Sequence, residues 1–259
     1  MGRSRSGCKY VPEKSPGRPP SFVTAPVVLG RIFRNLTHPM TTQVLFIRHG
    51  ETDWNRIKRI QGHIDIPLAA SGVVQAGQLA QRLLQESKAG VRLDAVYCSD
   101  LLRAQQTAKP FADALGLTLN LNEGLRERLY GDFQGHSGEE IRAKSPSEYA
   151  DWQSHNPDFA PPGGESQRAF SQRVLGAVEP IVAAHQDGRI AVVAHGGVLD
   201  CIYRVVRGLP LDVPRDWPLL NSSINVVDFE NGQTTVVSWG DVAHLSSPGS
   251  DDDLKEVPR

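Results

Sequence analysis

Only three cysteines, Cys8, Cys98 and Cys201, occur in 259 residues, and none stands in a CxxC or His-paired spacing. A metal cluster or a disulfide framework therefore has no support, and a reducing, cytoplasmic setting is expected. No apolar run reaches the roughly 18 residues that a bilayer-spanning helix requires. The strongest N-terminal candidate, Phe22 to Gly30, is short and broken by Pro26. Net charge is nearly absent as well, at −1, and the aromatic share is 7%. That neutrality hides an asymmetry, because the residues before Met40 carry seven Lys or Arg against the single acid Glu13, leaving 21 basic and 28 acidic residues from Met40 onward. A body about seven units negative disfavours nonspecific binding to nucleic acid or to an anionic membrane, so any positive site in it must be local. Repeats and low-complexity segments are lacking too, and the apolar fraction of 39% with 22% charged residues is that of an ordinary globular chain with a sizeable core.

What is present falls into three parts. Residues 1–41 are rich in Arg, Ser and Pro and poor in acids, a composition shared by organellar transit peptides and disordered extensions; a disordered extension, or a start assigned upstream of Met40, is expected. Residues 246–259 read as an acidic flexible tail. Between them, residues 42–245 alternate apolar runs with amphipathic stretches. Gln43 to Ile47 is a short run rich in Val, Leu, Phe and Ile, the pattern of a strand buried on both faces. Ser71 stands as a capping residue before a helix whose apolar positions are Val74, Leu79, Leu83 and Leu84. "DAVYCS" predicts a second strand, "LLRAQQTAKPFADAL" a helix stopped by Gly116, and "LTLNL" a third strand. After a glycine-punctuated loop and helical pieces through Trp152 come a long helix from Ser166, the strand "RIAVVA" and the helix "GGVLDCIYRVVR". The strands "SINVVDFE" and "TTVVSW" are joined at Asn231 and Gly232, a strong hairpin signal. Strands alternating with helices imply a three-layer α/β/α sandwich around a mostly parallel sheet, and the last hairpin adds an antiparallel edge.

In such sheets ligands bind beyond the carboxyl ends of the strands. Arg48 and His49 leave the first strand there, Arg103 lies just past the second, Glu127 sits in the loop after the third, and His195 ends "RIAVVAH". Two arginines, two histidines and a carboxylate without a metal-ligand pattern point to an anion site with acid-base equipment, for which a phosphoryl group is the best fit. Neutral imidazole can accept a phosphoryl group and later release it to water. The guanidinium forks of Arg48 and Arg103 match phosphate oxygens, and His195 precedes Gly196 and Gly197 at a helix start, where backbone NH groups favour anions. A departing alkoxide needs a proton, and Glu127 is expected to supply it, with Glu51, Glu123 and Glu165 as rival acids. Its neighbours Arg126 and Arg128 would oppose that role if they pointed inward.

At these residues the chain resembles the histidine phosphatase superfamily, also called the phosphoglycerate mutase-like family. The resemblance runs from about Gln43 to about Leu245 through "RHGETDWN", "QGHIDIPLAASG", "SDLLRAQQTA", "LRERLYGDFQG", "PPGGES" and "VVAHGGVL" in order. It implies His49 as the phosphorylated nucleophile, Arg48, Arg103 and His195 as the phosphate pocket, and Glu127 as proton donor. It further implies that Asn55, Gln61 and Gly62 touch the phosphate or the substrate, with Gly196 beside them, and that neither metal nor cofactor is needed. The short connection from Gly135 to Gly163, with Arg142 as its one arginine, and the ending "GDVAHL" look more like broad-specificity or α-ribazole-type phosphatases than mutases. The expected activity is hydrolysis of a small phosphorylated metabolite by a monomer or homodimer. A phosphoglycerate mutase and a non-catalytic phosphate-binding module are the alternatives, the latter disfavoured because no position of the catalytic set is substituted.

Overall fold

The computed structural model describes residues 41–246. The extension expected over 1–41 and the tail expected over 246–259 fall, apart from Thr41 and Ser246, outside the described residues. Strand β1 (Thr41–Arg48) is followed by the single-turn helix α1 (Asp53–Arg56), α2 (Ala70–Lys88), β2 (Ala95–Cys98), α3 (Leu102–Leu115) and β3 (Leu119–Leu121). Two 3-10 turns lead to α4 (Gly138–Lys144), α5 (Pro146–Gln153), α6 (Gln167–Ala183), β4 (Arg189–Ala194), α7 (Gly196–Arg207), β5 (Ile224–Glu230) and β6 (Gln233–Asp241). One six-stranded sheet results, in the order β3-β2-β4-β1-β5-β6. The first four strands run parallel, whereas β5 and β6 are antiparallel to their neighbours.

The run Val44–Ile47 has no exposed surface because both faces of β1 are covered. Its alternation sorts the side chains into two cores. Val44 and Phe46 join Ile190 and Val192 of β4 against α6 and α7, where Phe170, Val174, Val198 and Leu199 pack. Leu45 and Ile47 join Ala191 and Val193 on the opposite face, against Leu79 and Leu83 of α2 and Ala104, Ala108 and Phe111 of α3. Three layers follow from that period of two. Burying each of the larger aliphatic or aromatic side chains stabilises the fold by about 1.5–3 kcal/mol.

Three local readings change. Helix α2 starts at Ala70 behind Ala69, which offers no side-chain cap. Ser71 is already helical, and its hydroxyl donates to the Glu51 carboxylate instead. Val74 is 57% exposed, since the buried stripe of α2 runs through Gln75, Ala76, Leu79, Ala80 and Leu83. The third strand shortens to Leu119–Leu121, because the edge position leaves it only β2 to pair with. The terminal hairpin forms as its turn residues require: Glu230 pairs with Gln233, and both Asn231 and Gly232 take positive φ, at 49° and 77°. Among the described residues no helix is long and apolar enough to cross a membrane.

Candidate active site

Because β1, β2, β3 and β4 are parallel, their carboxyl ends share one sheet edge, and β5, being antiparallel, brings its amino end to the same place. The segment before β5 therefore braces the exit of β1. Arg48 N–H donates to the Ser223 carbonyl (3.3 Å), Ser222 N–H reaches the Arg48 carbonyl (3.1 Å), and Asn221 Nδ2 donates to the His49 carbonyl (3.0 Å). On the other flank His49 N–H donates to the Ala194 carbonyl at the end of β4 (2.9 Å). Main chain locked on both sides fixes the imidazole's starting point.

The ring of His49 is oriented by a 2.7 Å contact between Nδ1 and the Gly50 carbonyl. A carbonyl can only accept, so Nδ1 carries the hydrogen and Nε2 keeps its lone pair. The ring of His195 lies 5.2 Å away, centroid to centroid. Its Nε2 meets the Ser99 hydroxyl at 2.8 Å, and that hydroxyl also receives the Leu101 N–H at 3.3 Å. With the Ser99 proton given to Nε2, the hydrogen of His195 sits on Nδ1, a buried atom with no partner among the described residues. An N–H that is desolvated and unbonded suits an anion. Arg103, 1% exposed, projects from the first turn of α3 and donates from Nη2 to the Gly62 carbonyl (2.8 Å) and from Nη1 to the Ile64 carbonyl (3.1 Å). Arg48 donates to the Leu219 carbonyl, and its guanidinium lies against Gly196.

Glu127 reaches the same edge from the loop after β3. Its carboxylate accepts the Gly197 N–H at the start of α7 (3.0 Å) and its neighbour Arg128 N–H (2.7 Å). A β-carbon on residue 197 would lie 2.2 Å from Glu127 Oε1, so only glycine permits this approach. Arg126 turns away to Asp100, with Nε to Oδ1 at 2.8 Å, and Arg128 donates to the carbonyls of Glu165 and Phe159. The opposition feared from these two cations thus does not arise from direct contact. The rival acids are committed elsewhere: Glu51 to Ser71, Glu123 to Arg126, and Glu165 to Arg173.

The remaining expected positions divide. Gly62 and Gln61 belong to the loop that Arg103 holds, and Gln61 is buried with its side-chain oxygen unbonded among the described residues. Asn55 is buried too, but its Oδ1 accepts from Thr52 N–H (2.8 Å) and hydroxyl (2.9 Å) in a capping box for α1. His244, in the ending "GDVAHL", is half-buried, and burial and Arg82 lower its pKa. Several contributors are residues to which the sequence assigned no role, although Ser99, Thr107 and His63 lie inside the motifs quoted above. Ser99 orients His195, Thr107 accepts the Gly50 N–H (2.9 Å), Asn221 holds His49, and His63 donates from Nε2 to the Glu127 carbonyl (2.7 Å). For Asn221 the available signal was the polar run Asn221–Ser223 ahead of an apolar strand. Among the described residues no three His, Cys, Asp or Glu side chains gather as a metal ion would need.

Burial, then Arg103 and Arg48, push the pKa of His49 well below its ordinary value. His195 moves the same way, through burial, Arg103, His49 and Arg48. Both rings are therefore neutral near pH 7. The consequence for stability has a definite sign, because between 6.5 and the lowered folded values the unfolded chain binds protons that the folded chain refuses. As pH falls from 7 to 5.5 the two imidazoles should lower the unfolding free energy. Urea midpoints measured at the two pH values check this. A profile that stays flat or rises on acidification contradicts it.

Comparison with known proteins agrees with this geometry. The profile of the "Histidine phosphatase superfamily (branch 1)" matches residues 44–242. The chain is 39% identical over 211 residues to a "Metal-independent phosphoserine phosphatase" of Arabidopsis thaliana, covering 80% of this chain and 85% of that one. It is 38% identical over 210 residues to "Phosphoglycerate mutase-like protein 4" of the same plant, with 80% and 88% covered. Among solved structures, Bacillus stearothermophilus YhfR superposes with a TM-score of 0.71 at 34% identity, over 78% of this chain and 98% of that one. With a profile match spanning well over half its length and relatives this similar, the chain belongs to the histidine phosphatase superfamily, branch 1.

Proposed function

We propose that this chain is a phosphomonoesterase that hydrolyses small phosphorylated metabolites through a phosphohistidine on His49. The observation that carries the reading is the tautomer of His49: Nδ1–H is tied to the Gly50 carbonyl, which leaves a neutral Nε2 lone pair among Arg48, Arg103 and His195. In the first step Nε2 attacks phosphorus, the P–O bond of the ester breaks, and Glu127 gives its proton to the leaving oxygen. Arg48, Arg103 and the Nδ1–H of His195 hold the charge on the equatorial oxygens as the group transfers. In the second step Glu127, now ionised, takes a proton from water, and the hydroxide displaces phosphate from His49. Gln61 and the Gly62 and Gly196 backbones contribute to the pocket's wall. Asn55 contributes through the α1 turn.

Phosphoserine is the first substrate to try, because one relative of this chain carries that activity in its name. A screen of phosphorylated metabolites should show phosphate release by the untreated chain and unchanged rates after EDTA. The mutase alternative is separated by mixing the chain with 3-phosphoglycerate, with and without 2,3-bisphosphoglycerate. Formation of 2-phosphoglycerate faster than free phosphate would replace hydrolysis with intramolecular transfer.

A further inference from the structure

The loop carrying Glu127 is gripped from outside by residues that the chemistry above does not use. Arg173 of α6 donates from Nη1 to the carbonyls of Gly124 (3.0 Å) and Arg126 (3.1 Å), and from Nη2 to the carbonyl of Glu127 (3.1 Å). The same Nη2 meets the carboxylate of Glu165. Glu165 in turn holds the other side of the loop: its Oε1 accepts Leu129 N–H (2.8 Å), and its own N–H donates to the Leu129 carbonyl (2.9 Å). His63 adds a second donor to the Glu127 carbonyl, at 2.7 Å. The main chain is thus pinned at residues 124, 126, 127 and 129, around the one residue whose carboxylate faces the start of α7.

We propose that the Glu165–Arg173 pair, with His63, is a positioning device that sets the reach of Glu127 toward the leaving-group oxygen. The inference rests on the reading of Glu127 as proton donor. A donor must come within about 2.6–3.2 Å of the oxygen it protonates, and a displacement of about 1 Å costs on the order of a hundredfold. The device acts through the backbone, whereas the carboxylate itself meets only the N–H groups of Gly197 and Arg128 among the hydrogen bonds described above. Arg173 also stacks over Phe170, 5.1 Å from ring centre, and Phe170 lies within contact of Gly197, so α6 ties the loop and the α7 start into one unit.

The test compares kcat/KM for phosphoserine, whose alkoxide cannot leave without a proton, with that for 4-nitrophenyl phosphate, whose phenolate can. Arg173→Met and Glu165→Gln are each expected to lose about thirtyfold or more on phosphoserine and less than about threefold on the nitrophenyl ester. Arg173→Lys should recover part of the loss. Glu127→Gln is measured alongside and should show the same selectivity in stronger form. Equal losses on both substrates, or none, in the Arg173 and Glu165 variants, with Glu127→Gln still selective, overturn the positioning role and leave the donor standing. A Glu127→Gln variant without selectivity removes the donor and the device together. Should Arg173→Met not fold, Glu165→Gln, which keeps shape and loses only the charge, decides the matter.

Discussion

Replacing His49 with alanine should lower phosphate release by about 10^5-fold or more, with circular dichroism and thermal midpoint close to those of the unsubstituted chain. The magnitude is that of removing a nucleophile whose work no neighbour can take over. His195 cannot substitute, because its Nε2 is engaged by Ser99 and its hydrogen is on Nδ1. The fold should tolerate the change, since the contacts that lock the β1 exit, to Ala194, Ser222 and Asn221, are made by the main chain of residue 49. Steady-state assays with phosphoserine and 4-nitrophenyl phosphate provide the check. A variant retaining even a hundredth of the original turnover on both would mean that another group attacks phosphorus.

The second large effect concerns Arg103. Alanine there should reduce kcat by about 10^2–10^3, roughly 3–4 kcal/mol of transition-state stabilisation. Two losses combine. The guanidinium no longer meets the transferring group, and the carbonyls of Gly62 and Ile64 lose a buried donor that binds their loop to α3. Lysine should restore little, because a single ammonium cannot span two carbonyls and a phosphate at fixed geometry. Without Arg103 the pKa of His49 should also move back up toward its ordinary value, since that guanidinium is the larger of the two cationic causes of its depression. The acid limb of the rate profile would then shift to higher pH. Activity within tenfold of the original and an unshifted acid limb would contradict the assignment.

Much of the site was legible because parallel strands are legible. An apolar run without polar alternation, as in Val44–Ile47 and Ile190–Ala194, marks a strand covered on both faces, and in a chain that alternates strands with helices such strands pair parallel with their carboxyl ends together. Arg48, His49 and His195 follow immediately, so their convergence needed no coordinates. Weighing Glu51, Glu123 and Glu165 against Glu127 did need them, because their partners Ser71, Arg126 and Arg173 are seen only in the fold. Asn221 and Ser222 stayed hidden for another reason. The hairpin signal showed that β5 and β6 were antiparallel to each other, but only the placement of β5 beside β1 carries its amino end to the site. Ser71 misled because a serine near a helix start reads as a cap, whereas here its hydroxyl secures Glu51. His63 had no spacing to recommend it, since it acts on a backbone carbonyl, and every residue has one of those.

The central claim is that phosphorus is transiently bonded to one imidazole nitrogen, and trapping that bond tests it most directly. Phosphoserine carrying a radioactive phosphoryl group, mixed with the chain and quenched in denaturant on the millisecond scale, should leave a label that is stable to alkali and lost in acid. Peptide mapping should place it on His49. Rapid turnover with no label at any quench time, or label on a residue other than His49, would contradict the account.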